Sequence, residues 1–138
     1  MNINSQYTGK IEDANDTSSI LIIPYMWIGD FVRGHSVVRV LKTRWPNRPV
    51  DLLTTPLCAP LIDYMPGVRS GIVEDLPHGE LHLGRRWSLA ARLRRRGYRT
   101  ALVLPRTWKS AIVPTLAGIP ERIGFVGEAR FGLINKWR

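Results

Sequence analysis

Residues 20–24 read ILIIP, a continuous aliphatic run with no polar residue among its members. A strand wetted on one side alternates apolar and polar residues. An unbroken run therefore belongs to a strand covered on both faces, as in a parallel sheet with helices above and below it. Further short runs at residues 50–54 (VDLLT), 71–76 (GIVEDL), 100–104 (TALVL) and 122–126 (RIGFV), bounded by turn residues, predict four more strands.

The intervals between these runs carry helical spacing. Residues 30–45 place Val37, Val38, Leu41 and Trp45 on one face, with Arg33, Arg39, Lys42 and Arg44 largely elsewhere, and Pro46 closes the segment. A short helix is predicted over 59–65, stopped by Pro66 and Gly67, a longer one over 85–96, ended by Gly97, and another over 109–117, closed by Gly118 and Pro120. Strands alternating with helices in this way predict an α/β fold, a Rossmann-like doubly wound parallel sheet, because each right-handed crossover lays its helix back on the sheet. Ligands then belong at the carboxyl ends of the strands, in the loops at 25–29, 55–57, 77–84 and 105–108 and in the stretch after 126.

A chain of 138 residues accommodates one such domain. Residues 1–19 are polar and without period, so they read as a flexible extension ahead of the domain at 20–138. Of the formal net charge of +9, that extension holds Lys10 against Glu12, Asp13 and Asp16, a net of −2, so the remainder carries +11. Such a surface favours anionic partners: nucleic acid, a nucleotide, a phosphorylated glycolipid or a membrane surface. The single cysteine, Cys58, excludes an internal disulfide, and its apolar setting reads as packing rather than nucleophilic chemistry. The cysteine and the scattered His35, His78 and His82 offer no metal-ligand spacing, so no metal is expected. No apolar stretch is long enough to span a bilayer.

The loop after the first strand lacks both G-x-G-x-x-G and G-x-x-x-x-G-K-[ST], which excludes the ordinary nucleotide-binding loops. It ends on Asp30, at or near a helix start. There a carboxylate either caps the helix, accepting from its free N–H groups, or serves as a general base toward a hydroxyl within hydrogen-bond reach. The loop after the fourth strand delivers Arg106 and Lys109 beside Ser110. Cations at a helix amino end are unfavourable unless an anion binds, although both side chains can also simply reach into water. The helix over 85–96 carries six arginines and no acid; Arg85, Arg92, Arg95 and Arg96 share an arc of roughly 100°, either a solvated face or a contact for an anionic surface.

With Ile28-Gly29-Asp30 after the first strand, Leu104-Pro105-Arg106-Thr107-Trp108-Lys109-Ser110 after the fourth, and Ala117-Gly118-Ile119-Pro120-Glu121-Arg122-Ile123-Gly124-Phe125 beyond, the chain resembles the lipopolysaccharide heptosyltransferases. These are glycosyltransferases of family 9, with two Rossmann-like domains facing a cleft in the GT-B arrangement. Leu76-Pro77-His78-Gly79 and Gly127-Glu128-Ala129-Arg130-Phe131-Gly132-Leu133 bring the likeness nearer to the heptosyltransferase II branch.

The resemblance implies inverting transfer of L-glycero-D-manno-heptose from ADP-heptose to the lipopolysaccharide core, by a cytoplasmic enzyme peripheral to the inner membrane. It implies Asp30 as catalytic base; Lys109, Ser110 and Arg122 near the acceptor sugar or its phosphates; and Trp27, Gly29 and Arg106 shaping the loop around it. Arg92, Arg95 and Arg96 are the expected contact with the anionic surface. ADP-heptose enters as donor substrate, and no cofactor is expected. The resemblance corresponds to the acceptor-binding, amino-terminal half of such an enzyme, so the donor domain is expected to be absent from this chain and a separate donor-domain chain is a candidate partner. The truncation implies an unpaired edge at the fifth strand, with Phe131, Leu133, Ile134 and Trp137 uncovered. A basic nucleic-acid-binding module and an inactive remnant are the competing readings; with no RNP-like or helix-turn-helix pattern, specific nucleic-acid binding is not expected.

Overall fold

The computed structural model describes residues 16–25, 27–75, 82–124, 134 and 136–137. The chain runs β1 (Ile20–Ile23), α1 (Ile28–Arg44), β2 (Val50–Thr54), a 3₁₀ segment (Ala59–Tyr64), β3 (Val68–Val73), α2 (Leu83–Arg96), β4 (Thr100–Val103), α3 (Trp108–Leu116), β5 (Glu121–Gly124) and β6 (Lys136–Trp137). The strands form one sheet in the order β3-β2-β1-β4-β5-β6, and every pairing is parallel.

The continuous run at β1 has a direct structural cause. Ile20 and Ile22 enter a core with Phe31, Val38, Val50, Leu52 and Cys58, while Leu21 and Ile23 enter a second core with Leu89, Leu93, Ala101 and Val113. The two cores lie on opposite faces of the sheet, α1 over one and α2 and α3 over the other, so neither face of β1 can carry a polar residue. Gly97 and Gly118, at φ 68° and 67°, end α2 and α3 in the left-handed region, as their position after each helix predicts.

Four expectations are corrected. The third strand starts at Val68, directly after the Pro66-Gly67 turn, rather than at Gly71; only Ile72 in it is fully buried, so its beginning carries no apolar signal. The segment after β2 is 3₁₀ rather than α-helical, with Pro60 in its first turn and only six residues. Helix α2 begins two residues earlier than its arginine run. The fifth strand is not an unpaired edge: β6 adds in parallel, Ile123 opposite Lys136 and Gly124 opposite Trp137, and Ile134 is buried in the core under α3. Phe131 and Leu133, the side chain of Trp137, and the motifs at 76–79 and 127–133 lie outside the described residues.

At the amino ends of the strands a closed polar network joins elements far apart in sequence. Asp51, fully buried, accepts from Arg69 through both carboxylate oxygens (3.0 and 2.7 Å), from the Ser70 N–H (3.1 Å) and from the Tyr98 hydroxyl. Burial pushes its pKa up, but the bonds from Arg69, Tyr98 and Ser70 outweigh that and hold it below the usual carboxylate value. Burial and the same carboxylate raise the Tyr98 pKa. The register slips between Val50 and Asp51, so Arg69 is the extra residue of a bulge. Next to this cluster Arg48, 2% exposed, donates to the Ser18 carbonyl (2.9 Å) and to Thr100 Oγ1 (2.7 Å), and Thr100 in turn donates to Glu121 (2.7 Å). Asp16, 3.7 Å from Arg48, and the Ser19 carbonyl, which accepts from the Arg99 N–H, tie residues 16–19 to the domain.

Candidate active site

The strand order reverses between β1 and β4. The Leu104 N–H still donates to the Ile23 carbonyl at 3.0 Å, one step past the ladder, after which α1 departs over one face of the sheet and α3 over the other. Such a divergence opens a crevice outside the carboxyl ends of the strands. Over it Gly34 of helix α1 is buried beside Pro24 and Leu104.

On the α1 side, Trp27 is the cap residue, in extended conformation and without a side-chain cap, and its carbonyl accepts the Phe31 N–H at 2.7 Å. Asp30 is thus inside the first helical turn and is not the cap. Its carboxylate turns to Arg33, at 3.3 Å, and stays partly open to solvent. The favourable interaction of an acid with the positive end of a helix remains available to it there. Gly29 is exposed, and a Cβ on it would meet nothing within 4 Å, so the packing of the described residues does not require glycine at this place. Trp27 is 71% exposed.

On the α3 side, Thr107 occupies the cap position in extended conformation, again without a side-chain cap. The Ser110 hydroxyl donates back to the Thr107 carbonyl at 2.6 Å, which fixes the turn carrying Arg106 and Lys109. Arg106 is exposed and Lys109 half-buried. The Lys109 carbonyl accepts from Nη1 of Arg86 at 3.0 Å. Arg86 is 7% exposed, and burial lowers its pKa. Its part in holding the α3 turn is not apparent in an arginine run read by composition. Helical spacing does carry the signal, since Arg86 shares an arc with Leu89, Ala90 and Leu93.

The structure thus brings Trp27, Gly29 and Asp30 to one side of the crevice and Arg106, Lys109 and Ser110 to the other. Arg122 is placed differently. It stands beside Ala101 in the amino half of β5, and its guanidinium donates to the Ile119 carbonyl at 2.8 Å. Among the α2 arginines, Arg92 bonds Glu74 (2.9 Å), and Arg96 bonds Ser70 (3.3 Å) and lies 3.8 Å from Asp51, while Arg95 is exposed. Cys58 is buried, and His35 bonds the Pro66 carbonyl. Among the described residues no three His, Cys, Asp or Glu side chains converge as a metal site, and no helix is long and apolar enough to cross a membrane. The carboxyl ends of the neighbouring strands β1 and β4 thus lead into one turn with a carboxylate and another with two cations.

The sequence pattern described as glycosyltransferase family 9 (heptosyltransferase) matches residues 86–138. The chain is 43% identical over 119 residues to lipopolysaccharide heptosyltransferase 2 of Escherichia coli strain K12, covering 86% of this chain and 34% of that one. It is 42% identical over 120 residues to lipooligosaccharide heptosyltransferase 2 of Haemophilus influenzae, covering 87% and 34%. The solved structure of E. coli ADP-heptose LPS heptosyltransferase II superimposes with a TM-score of 0.78 at 39% identity, over 87% of this chain and 34% of that one. A family 9 glycosyl transferase from Veillonella parvula gives the same TM-score at 16% identity over 89% and 36%, a likeness of fold alone. The chain spans about a third of the length of the curated relatives it matches. In sequence and in its Rossmann-like fold, over that third, the chain is similar to the heptosyltransferases of glycosyltransferase family 9.

Proposed function

We propose that this chain forms the acceptor side of an inverting heptosyltransferase that moves L-glycero-D-manno-heptose from ADP-heptose to the lipopolysaccharide core. The observation that carries the reading is Asp30, in the first turn of α1 at the point where strand order reverses, in a chain 43% identical to a heptosyltransferase 2. An acceptor hydroxyl attacks the anomeric carbon of the donor. The bond from that carbon to the diphosphate oxygen breaks, ADP leaves, and the hydroxyl proton passes to Asp30. Attack opposite the departing ADP inverts the configuration.

Lys109 and Arg106 lie where they can hold acceptor phosphates, Ser110 fixes their turn, and Trp27 and Gly29 line the opposite wall. Groups that bind ADP-heptose come from a donor unit, in the same polypeptide or in a partner chain. The enzyme works in the cytoplasm at an anionic membrane surface, where its lipid-anchored acceptor resides, and needs no cofactor of its own.

The test is transfer by the chain completed with a family-type donor unit, followed as ADP release from ADP-heptose and a heptosyl-core acceptor. Asp30→Asn is expected to lower turnover by about 100- to 10,000-fold while the fold is kept. Near-normal turnover in that variant would remove Asp30 from the chemistry. The chain without a donor unit is expected to release no ADP, and turnover by it alone would overturn the division of labour.

A further inference from the structure

Apart from Gly29 at its start, helix α1 presents to solvent a face that the crevice does not use. Phe31, Gly34 and Val38 turn inward. At 100° per residue the opposite arc gathers Ile28, Val32, Ser36 and Val40, with Arg33, Arg39, Thr43 and Arg44 interleaved. Ile28 and Val32 are each 49% exposed and Val40 67%. Ser36, Arg39, Val40, Thr43 and Arg44 line a shallow open depression along this face. The arc holds no carboxylate; Asp30 lies at its margin, beside Arg33.

The outer face of a helix in a globular protein is ordinarily polar, so aliphatic side chains set among arginines call for a partner that is both apolar and anionic. The contrast with α2 is informative. Its arginines outnumber those of α1, but Arg85, Arg92, Arg94 and Arg96 bond the Asp75 carbonyl, Glu74, the Leu116 carbonyl and Ser70. They stitch α2 to the strand and helix beside it.

We propose that the outward face of α1 docks on the surface of an anionic lipid bilayer, with Ile28, Val32 and Val40 entering the boundary between headgroups and acyl chains and Arg39 and Arg44 on lipid phosphates. A nucleic acid would satisfy the arginines and leave the valines in water. A second copy placed symmetrically along α1 would gather the arginines of both copies into one interface whose arc holds no carboxylate. The stripe begins at Ile28, in the same helical turn as Asp30, so a bilayer along α1 reaches the mouth of the crevice. This locates the membrane contact of the proposed function, but it stands on surface chemistry alone and does not need transfer activity.

The experiment is co-sedimentation of the chain with vesicles of phosphatidylcholine, and of phosphatidylcholine mixed with phosphatidylglycerol. Binding is expected on the mixed vesicles only, weakening as salt rises. Removing both cations, Arg39→Gln with Arg44→Gln, should lower the partition constant by roughly 30-fold, at about 1 kcal/mol for each. Val32→Ser with Val40→Ser should also weaken it, since the apolar contact is part of the docking. Replacing Arg92, Arg95 and Arg96 by Gln should change it less than the α1 pair does.

Equal or greater loss in the α2 variant, or binding indifferent to the two valines, overturns the proposal. So does tight binding to an oligonucleotide without preference for anionic vesicles. All substituted side chains are exposed, and none belongs to the crevice. Transfer to a detergent-free, delipidated core acceptor, measured with the donor unit present, should therefore persist in the α1 variants. Loss of vesicle binding with transfer intact supports the α1 surface, whereas loss of transfer in Asp30→Asn with vesicle binding intact reports on the chemistry alone.

Discussion

Around Asp51 and Arg48, at the amino ends of the strands, buried charges are matched by protein partners on four different strands or their approaches. Around Trp27 and Thr107, at the carboxyl ends, two helices start without side-chain caps and the neighbouring side chains face solvent. A satisfied buried network fixes how strands assemble, because each member loses its compensation if one moves. Exposed side chains at two helix starts hold the opposite kind of capacity, since solvent-facing groups stay accessible to something else. The two ends of one sheet thus divide the work, one securing the fold and the other left available to a ligand.

Asp51→Ala is expected to test that division most severely. It would leave the Tyr98 hydroxyl and the Arg69 guanidinium without their carboxylate, at a cost of about 3–5 kcal/mol. Urea denaturation should show a much lower midpoint, and an unmoved midpoint would break the comparison.

The same carboxylate sets a dependence on acid. Its folded pKa is depressed, so the stabilisation it contributes is present above the unfolded value of about 3.9 and is lost as pH falls through the folded value. Stability measured by urea midpoint should therefore drop below roughly pH 4, and less steeply in Asp51→Asn. Tyr98 acts at the other extreme. Its raised pKa means that stability should decline as pH climbs past about 10, where the unfolded chain ionises first.

A smaller loss is expected from Thr100→Val, which removes the hydroxyl lying between Arg48 and Glu121. Leaving buried Arg48 and half-buried Glu121 each short of one bond should cost about 1–3 kcal/mol. Gly34→Ala sharpens the contrast from the other side. The new Cβ would meet Pro24 at 3.8 Å and Leu104 at 3.9 Å, ordinary contact distances, and the gain in helix propensity should raise stability by about 0.5–1 kcal/mol. The smallest effect belongs to the carboxyl ends: Asp30→Asn and Arg106→Gln should each alter stability by less than about 0.5 kcal/mol. A larger loss in thermal or urea unfolding would mean that this end, too, is built for stability.

What the sequence determined by itself is what local periodicity can encode. An uninterrupted ILII reports cover on both faces, and Gly97 and Gly118 mark the places where a helix must turn left-handed to stop. The loops after β1 and β4 follow from the alternation, because the crossovers of a parallel sheet bring those strand ends together. Tertiary structure alone decided which polar residues are structural. Tyr98 and Asp51 are 47 residues apart in the chain, and Arg48 and Thr100 are 52 apart, so no local pattern announces either pair. The start of β3 at Val68 depends on its pairing with β2, which a strand with one fully buried position cannot signal alone, and the two-residue β6 is defined by its pairing with β5. Asp30 shows the same limit at one residue. Its type and place made cap and base equally readable, and only the position of Trp27 at the helix start settled that Asp30 does not cap. An arginine's role is likewise undetermined by its identity, because a long cationic side chain takes whichever acceptor the fold brings within reach: a carbonyl on α3 for Arg86, a carboxylate beside β3 for Arg92, and solvent for Arg39.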